Sequence, residues 1–148
     1  VRRGRASDGS GFIATIEPMH GHQVVVYPQR RDTERIVLDE SLVQGHGLAT
    51  GDLLGRGHDQ IIAGWRGNMV GPPTPVGIRL YAATTASATR WELVGAIDDN
   101  TVACEDLRVA DLDRDGDLDV VAAGRASRNV VIFWNERVPT RRASATPR

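Results

Sequence analysis

The nine residues from Asp111 to Asp119, DLDRDGDLD, constrain this chain more than any other stretch. Asp111, Asp113 and Asp115 place a carboxylate at every second position, Gly116 permits a sharp turn, and Asp119 closes the loop from its far side. A hard cation such as calcium takes six to eight oxygens at about 2.3 to 2.6 Å. Such a loop offers several carboxylates and a backbone carbonyl, a role that falls to Asp117. The opening also fits a helix-flanked calcium loop, which needs a bidentate Glu at its twelfth position. Ala122 stands there, and the run VVAAG after Asp119 reads as a short buried strand. The loop is therefore a turn between two strands. The plainer alternative is a solvated acidic turn that binds nothing.

The same spacing occurs earlier in the chain. Gly51–Gly64, GDLLGRGHDQIIAG, lies over Ala110–Ala123 with Asp52 on Asp111, Gly57 on Gly116, and Ile61 and Ile62 on Val120 and Val121, at an offset of 111 − 52 = 59. The offset also pairs Asp39 with Asp98 and His46 with Glu105. Three strand-like runs, QVVVYPQ, GIRLYAA and NVVIFWN, bring Tyr27, Tyr81 and Phe133 into correspondence. Three copies are present, the first lacking its start.

Each copy reads as four short strands without a helix. In the middle copy these are about 46–53, 60–65, 77–82 and 91–97. A four-stranded meander at this period is the signature of a propeller blade, and four to eight blades close a ring. The expected fold is all-β, a fragment of a β-propeller with two to three four-stranded antiparallel blades. The expected divisions are a flexible segment 1–11, a partial blade 12–45, a full blade 46–104, a partial last blade 105–135 and a disordered basic tail 136–148. On this reading the chain is the C-terminal piece of a longer protein, and its first partners are the remaining blades.

Composition narrows the function classes. A net charge of −1 gives no pull toward nucleic acid or membrane, and the arginines at 2, 3, 5, 141, 142 and 148 lack aromatic interleaving. No run approaches the roughly 18 apolar residues of a membrane span. No signal peptide is visible in a chain that starts at Val1. One cysteine forms no internal disulfide, and lysine is absent. Nucleophile elbows, phosphate loops, H-E-x-x-H and C-x-x-C motifs are also missing.

DLDRDGDLDVVAAG resembles the calcium-loop repeat of the FG-GAP and VCBS propeller families, a likeness that runs from Phe12 to Asn135. The resemblance implies calcium held by Asp111, Asp113, Asp115 and Asp119, and an extracellular or periplasmic setting. The middle copy departs from the pattern with Leu54, Arg56 and Gln60, so no metal is expected there. The stretches FIATIEPMHGHQVVVY, SLVQGHGLATGDL and VACEDLRVADLD are also similar to the propeller part of the aldos-2-ulose dehydratases, which are sugar lyases. The cupin parts of such enzymes are not in this sequence.

In a meander, the starts of first strands and the ends of second strands share one face, opposite the acidic loop. That face should gather Glu17, His20, His22, His46, Trp65, Arg66, Glu105, Asp106 and Arg125. Imidazole and carboxylate can hold a second divalent metal, Zn2+ or Mg2+, or move protons near neutral pH. Arginine can fix a carboxylate or enolate, and Trp65 could stack on a sugar ring. His20, His46 and Glu105 are the candidate catalytic or ligating residues. Against this, histidines in Gly-flanked turns often serve only the turn, recurring arginines often bond a neighbouring blade, and Trp65 also suits packing. Two readings follow: a calcium-stabilised binding or scaffold module, and a metal-dependent lyase acting on a keto sugar such as an aldos-2-ulose or anhydrofructose.

Overall fold

The computed structural model describes residues 1–29 and 35–136, and over these the chain is all-β, with eleven strands in three antiparallel sheets. The first sheet holds β1 (Arg2–Arg5), β2 (Gly11–Glu17), β3 (Gln23–Pro28) and β4 (Ile36–Asp39). The second holds β5 (Gly45–Gly51), β6 (Gln60–Trp65), β7 (Gly77–Ala83) and β8 (Trp91–Asp99). The third holds β9 (Cys104–Ala110), β10 (Asp119–Gly124) and β11 (Asn129–Phe133). Each strand pairs with its sequence neighbours, and no sheet closes on itself.

The run Gln60–Trp65 is buried at every position, so β6 is covered on both faces. Ile61 and Ala63 pack toward the first sheet with Phe12, Ala14, Val24 and Val26. Ile62, with Ile78 and Leu80, packs toward the third against Leu107, Val120 and Ala122. Burying Ile61 and Ile62 stabilises the sheet stack by about 1.5–3 kcal/mol each.

Between the first two sheets runs a polar clasp. Arg79 and the Tyr81 hydroxyl each donate to Asp39 Oδ2 at 2.6 Å. Burial works against the Asp39 anion, but bonds from Tyr81, Ser41 and Arg79 outweigh it and hold its pKa below the ordinary value. Burial, followed by the same carboxylate, pushes the Tyr81 phenol up.

The N-terminal stretch expected as flexible contains β1, which completes a four-stranded first sheet in place of the partial one read from the sequence. RRGR shows no apolar alternation, and its order comes from outside the stretch. Its ladder pairs Arg2–Arg5 with Gly11–Ala14, and Arg5 exchanges hydrogen bonds with Asp59. Gly4 lies flat on Phe12, where a Cβ would come within 2.2 Å of the ring. The third sheet shows three strands among the described residues, and the basic tail falls outside them apart from Glu136.

Candidate functional site

His46 and Glu105 occupy corresponding bulges. The β5–β6 register passes from Gly45↔Trp65 to Gly47↔Gly64, and the β9–β10 register from Cys104↔Gly124 to Asp106↔Ala123, leaving His46 and Glu105 unpaired. A bulge re-aims the extra residue out of the pleat, and here the two side chains meet. The His46 Nδ1–H donates to the Glu105 carbonyl. A carbonyl only accepts, so this bond fixes the tautomer and turns Nε2 outward, 3.8 Å from Glu105 Oε1.

The turn after β2 brings His20 over His46, with ring centroids 4.7 Å apart and 22° between planes. Gly21 makes the turn possible, because a Cβ there would meet the Glu17 carbonyl oxygen at 2.2 Å. Its own carbonyl accepts from the Gly45 amide at 2.7 Å, tying the turn to the start of β5. A shallow cavity of about 200 Å³ opens between Ile16, Met19, His20, His46 and Leu48.

Glu105 is the electrostatic centre. Arg66 Nη1 lies 2.8 and 2.9 Å from its two oxygens, and Arg125 Nη1 lies 3.9 Å from Oε1. The Arg66 hydrogen bonds, with the charges of Arg66, His46 and Arg125, hold the carboxyl below its ordinary pKa against partial burial. Arg66 also reaches Gln44 Oε1 at 3.3 Å and is largely covered. It thus joins the second sheet to the third.

Three expected rim residues stand elsewhere. The registers set Glu17↔Gln23 level with Trp65↔Gly77 and Gly124↔Asn129, so Glu17 is one step out of line with Arg66 and Arg125. One step reverses the face in a strand. Glu17 bonds Thr15, Tyr27 and Arg35 instead, and these bonds keep its carboxyl low despite burial. Trp65 is a core residue, its indole N–H donating to the Pro75 carbonyl and its ring lying 4.7 Å from the Arg79 guanidinium. Asp106 pairs with Arg108 at 2.7 Å on the outward side of the third sheet. His22 is exposed beside the turn. Cys104 is buried, and burial with nearby carboxylates pushes its thiol up to about 12, which leaves it unreactive.

On the opposite edge, Asp111, Asp113 and Asp115 are exposed and bring ligand atoms within 4.8 Å of one another. Among the described residues no other group of three or more histidine, cysteine or acid side chains does so. Three carboxylates at that separation suit a hard cation. Asp119 is buried, and its oxygens accept from the Leu112 amide at 3.0 Å and the Asn135 amide at 2.9 Å. Asp117 is mostly buried, and its amide donates to Asp115 Oδ1.

The middle loop serves as an internal control. Asp52 accepts from the amides of Arg56 and Gly57, as Asp111 accepts from Gly116. Buried Gln60 stands where Asp119 stands and accepts from the Leu54 amide at 2.8 Å, its longer side chain reaching one residue further. The turn therefore forms from one leading Asp and one buried acceptor. The acids at 113 and 115, which accept from the amides of Asp115 and Asp117, are additional to that pair.

Sequence reasoning missed the Asn135 side chain, which donates to the Leu53 and Leu118 carbonyls and so links the two loops. Its only trace was the polar residue that ends NVVIFWN. No family model, curated protein or solved structure matches the chain.

Proposed function

We propose that the three sheets are consecutive blades of a β-propeller of the FG-GAP/VCBS type, acting as a rigid, calcium-stabilised binding module. The observation that carries this reading is the pair of loops. The middle loop closes on Asp52 and Gln60 without acids at positions 54 and 56; in the last loop Asp113 and Asp115 accept from the amides of Asp115 and Asp117, but closure alone gives no reason for charged acceptors there. Calcium on Asp111, Asp113 and Asp115, with Asp119 bracing the loop behind them, supplies that reason. An exposed site of this kind matches the affinity range of extracellular modules, about 10⁻⁴ to 10⁻³ M, in keeping with an extracellular or periplasmic setting.

The ligand face of the module is the rim of His20, His46, Arg66 and Glu105, and a carbohydrate is the ligand class we assign to it. Calcium-dependent melting tests the first part. Saturating calcium at about 100 times its Kd should stabilise the chain by about 2.7 kcal/mol, and the joint substitution Asp113→Asn and Asp115→Asn should abolish the gain. A melting temperature indifferent to calcium overturns the reading.

One observation favours the second reading, a lyase acting on a keto sugar. His46 presents an oriented Nε2 beside a carboxylate and a guanidinium, a set that can take a proton and steady an enolate. Arg66 occupies both Glu105 oxygens, which suits proton transfer better than Zn2+ or Mg2+ ligation. Incubation with 1,5-anhydrofructose, followed by enone absorbance, separates the readings. Turnover lost in His46→Ala selects the enzyme, and saturable binding without turnover selects the module.

A further inference from the structure

Asn135 follows β11 and holds the acidic loop from behind. Its main-chain amide donates to Asp119 Oδ1 at 2.9 Å. Its side-chain amide donates to the Leu118 carbonyl at 3.1 Å and to the Leu53 carbonyl at 2.8 Å. The other Asp119 oxygen accepts from the Leu112 amide, inside the run of acids. One side chain thus grips both the far limb of the acidic loop and the middle loop of the second sheet. Apolar packing follows the same line. Leu118 lies against Gly51, where a Cβ would come within 2.9 Å of it, and Leu53 is buried in the same cluster. The middle copy lacks both parts of this arrangement. Registers Ile61↔Tyr81 and Val120↔Phe133 correspond, so Ala83 stands where Asn135 stands. Ala83 has no side-chain donor, and Leu54 and Arg56 replace the acids at 113 and 115. The amide donor accompanies the acids.

We propose that Asn135 is a positioning residue for calcium at the acidic loop, and that it passes the order of the occupied loop to the second sheet. The inference rests on the calcium reading of that loop. An amide N–H is no cation ligand, so the influence of these donors passes through the shape of the loop. With Asp111, Asp113 and Asp115 held on one ion, Leu112 between them is fixed, and its amide fixes the Asp119 carboxylate. Asp119 and Leu118 hold Asn135, and Asn135 holds the peptide unit between Leu53 and Leu54. That unit is secured at both ends, its carbonyl by Asn135 and its N–H by Gln60 Oε1 at 2.8 Å. Such coupling is reciprocal. The factor by which the Asn135 bonds raise calcium affinity is the factor by which bound calcium favours those bonds. The ion therefore tightens the joint between the second and third sheets as well as its own loop.

Calorimetric titration of the chain with calcium, read beside amide hydrogen exchange, tests it. In the natural chain the Leu54 amide should exchange at least about fivefold more slowly once calcium is bound. Asn135→Ala should weaken calcium binding about five- to tenfold and leave Leu54 exchange indifferent to calcium. Asn135→Asp keeps the size and the main-chain amide but loses the side-chain donors, and it should behave like the alanine variant although it adds a negative charge. A residue that serves stability alone would lower the melting temperature without moving calcium affinity. That result overturns the proposal and leaves the calcium reading standing. Leu54 exchange that ignores calcium in the natural chain overturns it too, with no substitution needed. A natural chain that takes up no calcium overturns the calcium reading, and this inference with it.

Discussion

His46 gives its Nδ1 hydrogen to the main-chain carbonyl of Glu105 while its Nε2 lies 3.8 Å from that residue's side chain, so one residue both orients the imidazole and faces it. The two belong to different sheets and stand 59 residues apart. Their meeting depends on two bulges at corresponding positions.

The tautomer is directly observable. Nitrogen NMR of His46 in the neutral form should show hydrogen on Nδ1, with Nε2 bare. A neutral ring protonated on Nε2 would remove the basis for assigning that nitrogen a role in binding or proton transfer.

Glu105 should shape the acid limb of the stability curve. Its folded pKa lies below the unfolded value near 4.5. Its contribution is therefore fully present above that value and is lost as pH falls through the folded pKa. Glu105→Gln should lower the melting temperature at neutral pH, with the gap to the natural chain closing below about pH 4. A gap that stays constant across this window contradicts the assignment.

Asp39 joins the first two sheets, and removing it should leave Arg79 without its ion partner and the Tyr81 hydroxyl without its acceptor. Asp39→Ala is expected to cost about 3–5 kcal/mol in denaturant unfolding, as for other covered ion pairs broken from one side. Tyr81→Phe, which keeps the ion pair, should cost only about 1 kcal/mol.

The acidic loop should separate into bracing and binding residues. Asp119→Asn must turn an amide group toward one of two backbone donors, and should destabilise the chain by about 1–3 kcal/mol with or without calcium. Asp113→Asn should change only the calcium-dependent part. Equal losses for both variants in calcium-free buffer would show that the two residues do the same work.

Strand order and most strand positions were legible because apolar alternation and glycine-marked turns are local signals. In the middle copy four boundaries moved by one or two residues: β5 starts at Gly45 and ends at Gly51, β7 runs to Ala83 and β8 to Asp99. The convergence of His20, His46, Arg66 and Glu105 was also legible, since the 59-residue offset marks corresponding strand positions. Glu17 was misplaced because two readings of β2 one residue apart look equally good in sequence, and only the ladder to Tyr27 chooses between them. Trp65 gave an ambiguous signal, since an aromatic at a strand end suits a binding face as well as a core.

The sequence alone determined the all-β character, the acid spacing at 111, 113 and 115, and the correspondence of His46 with Glu105. These depend on residue type and spacing along a few turns of chain. Tertiary structure decided what depends on partners distant in sequence. It ordered Arg2–Arg5 through β2 and Asp59, made Gln60 and Asp119 equivalent braces, and turned Glu17 away from the rim. Strand register and sheet stacking set which face a side chain occupies, and neither is written within the strand itself.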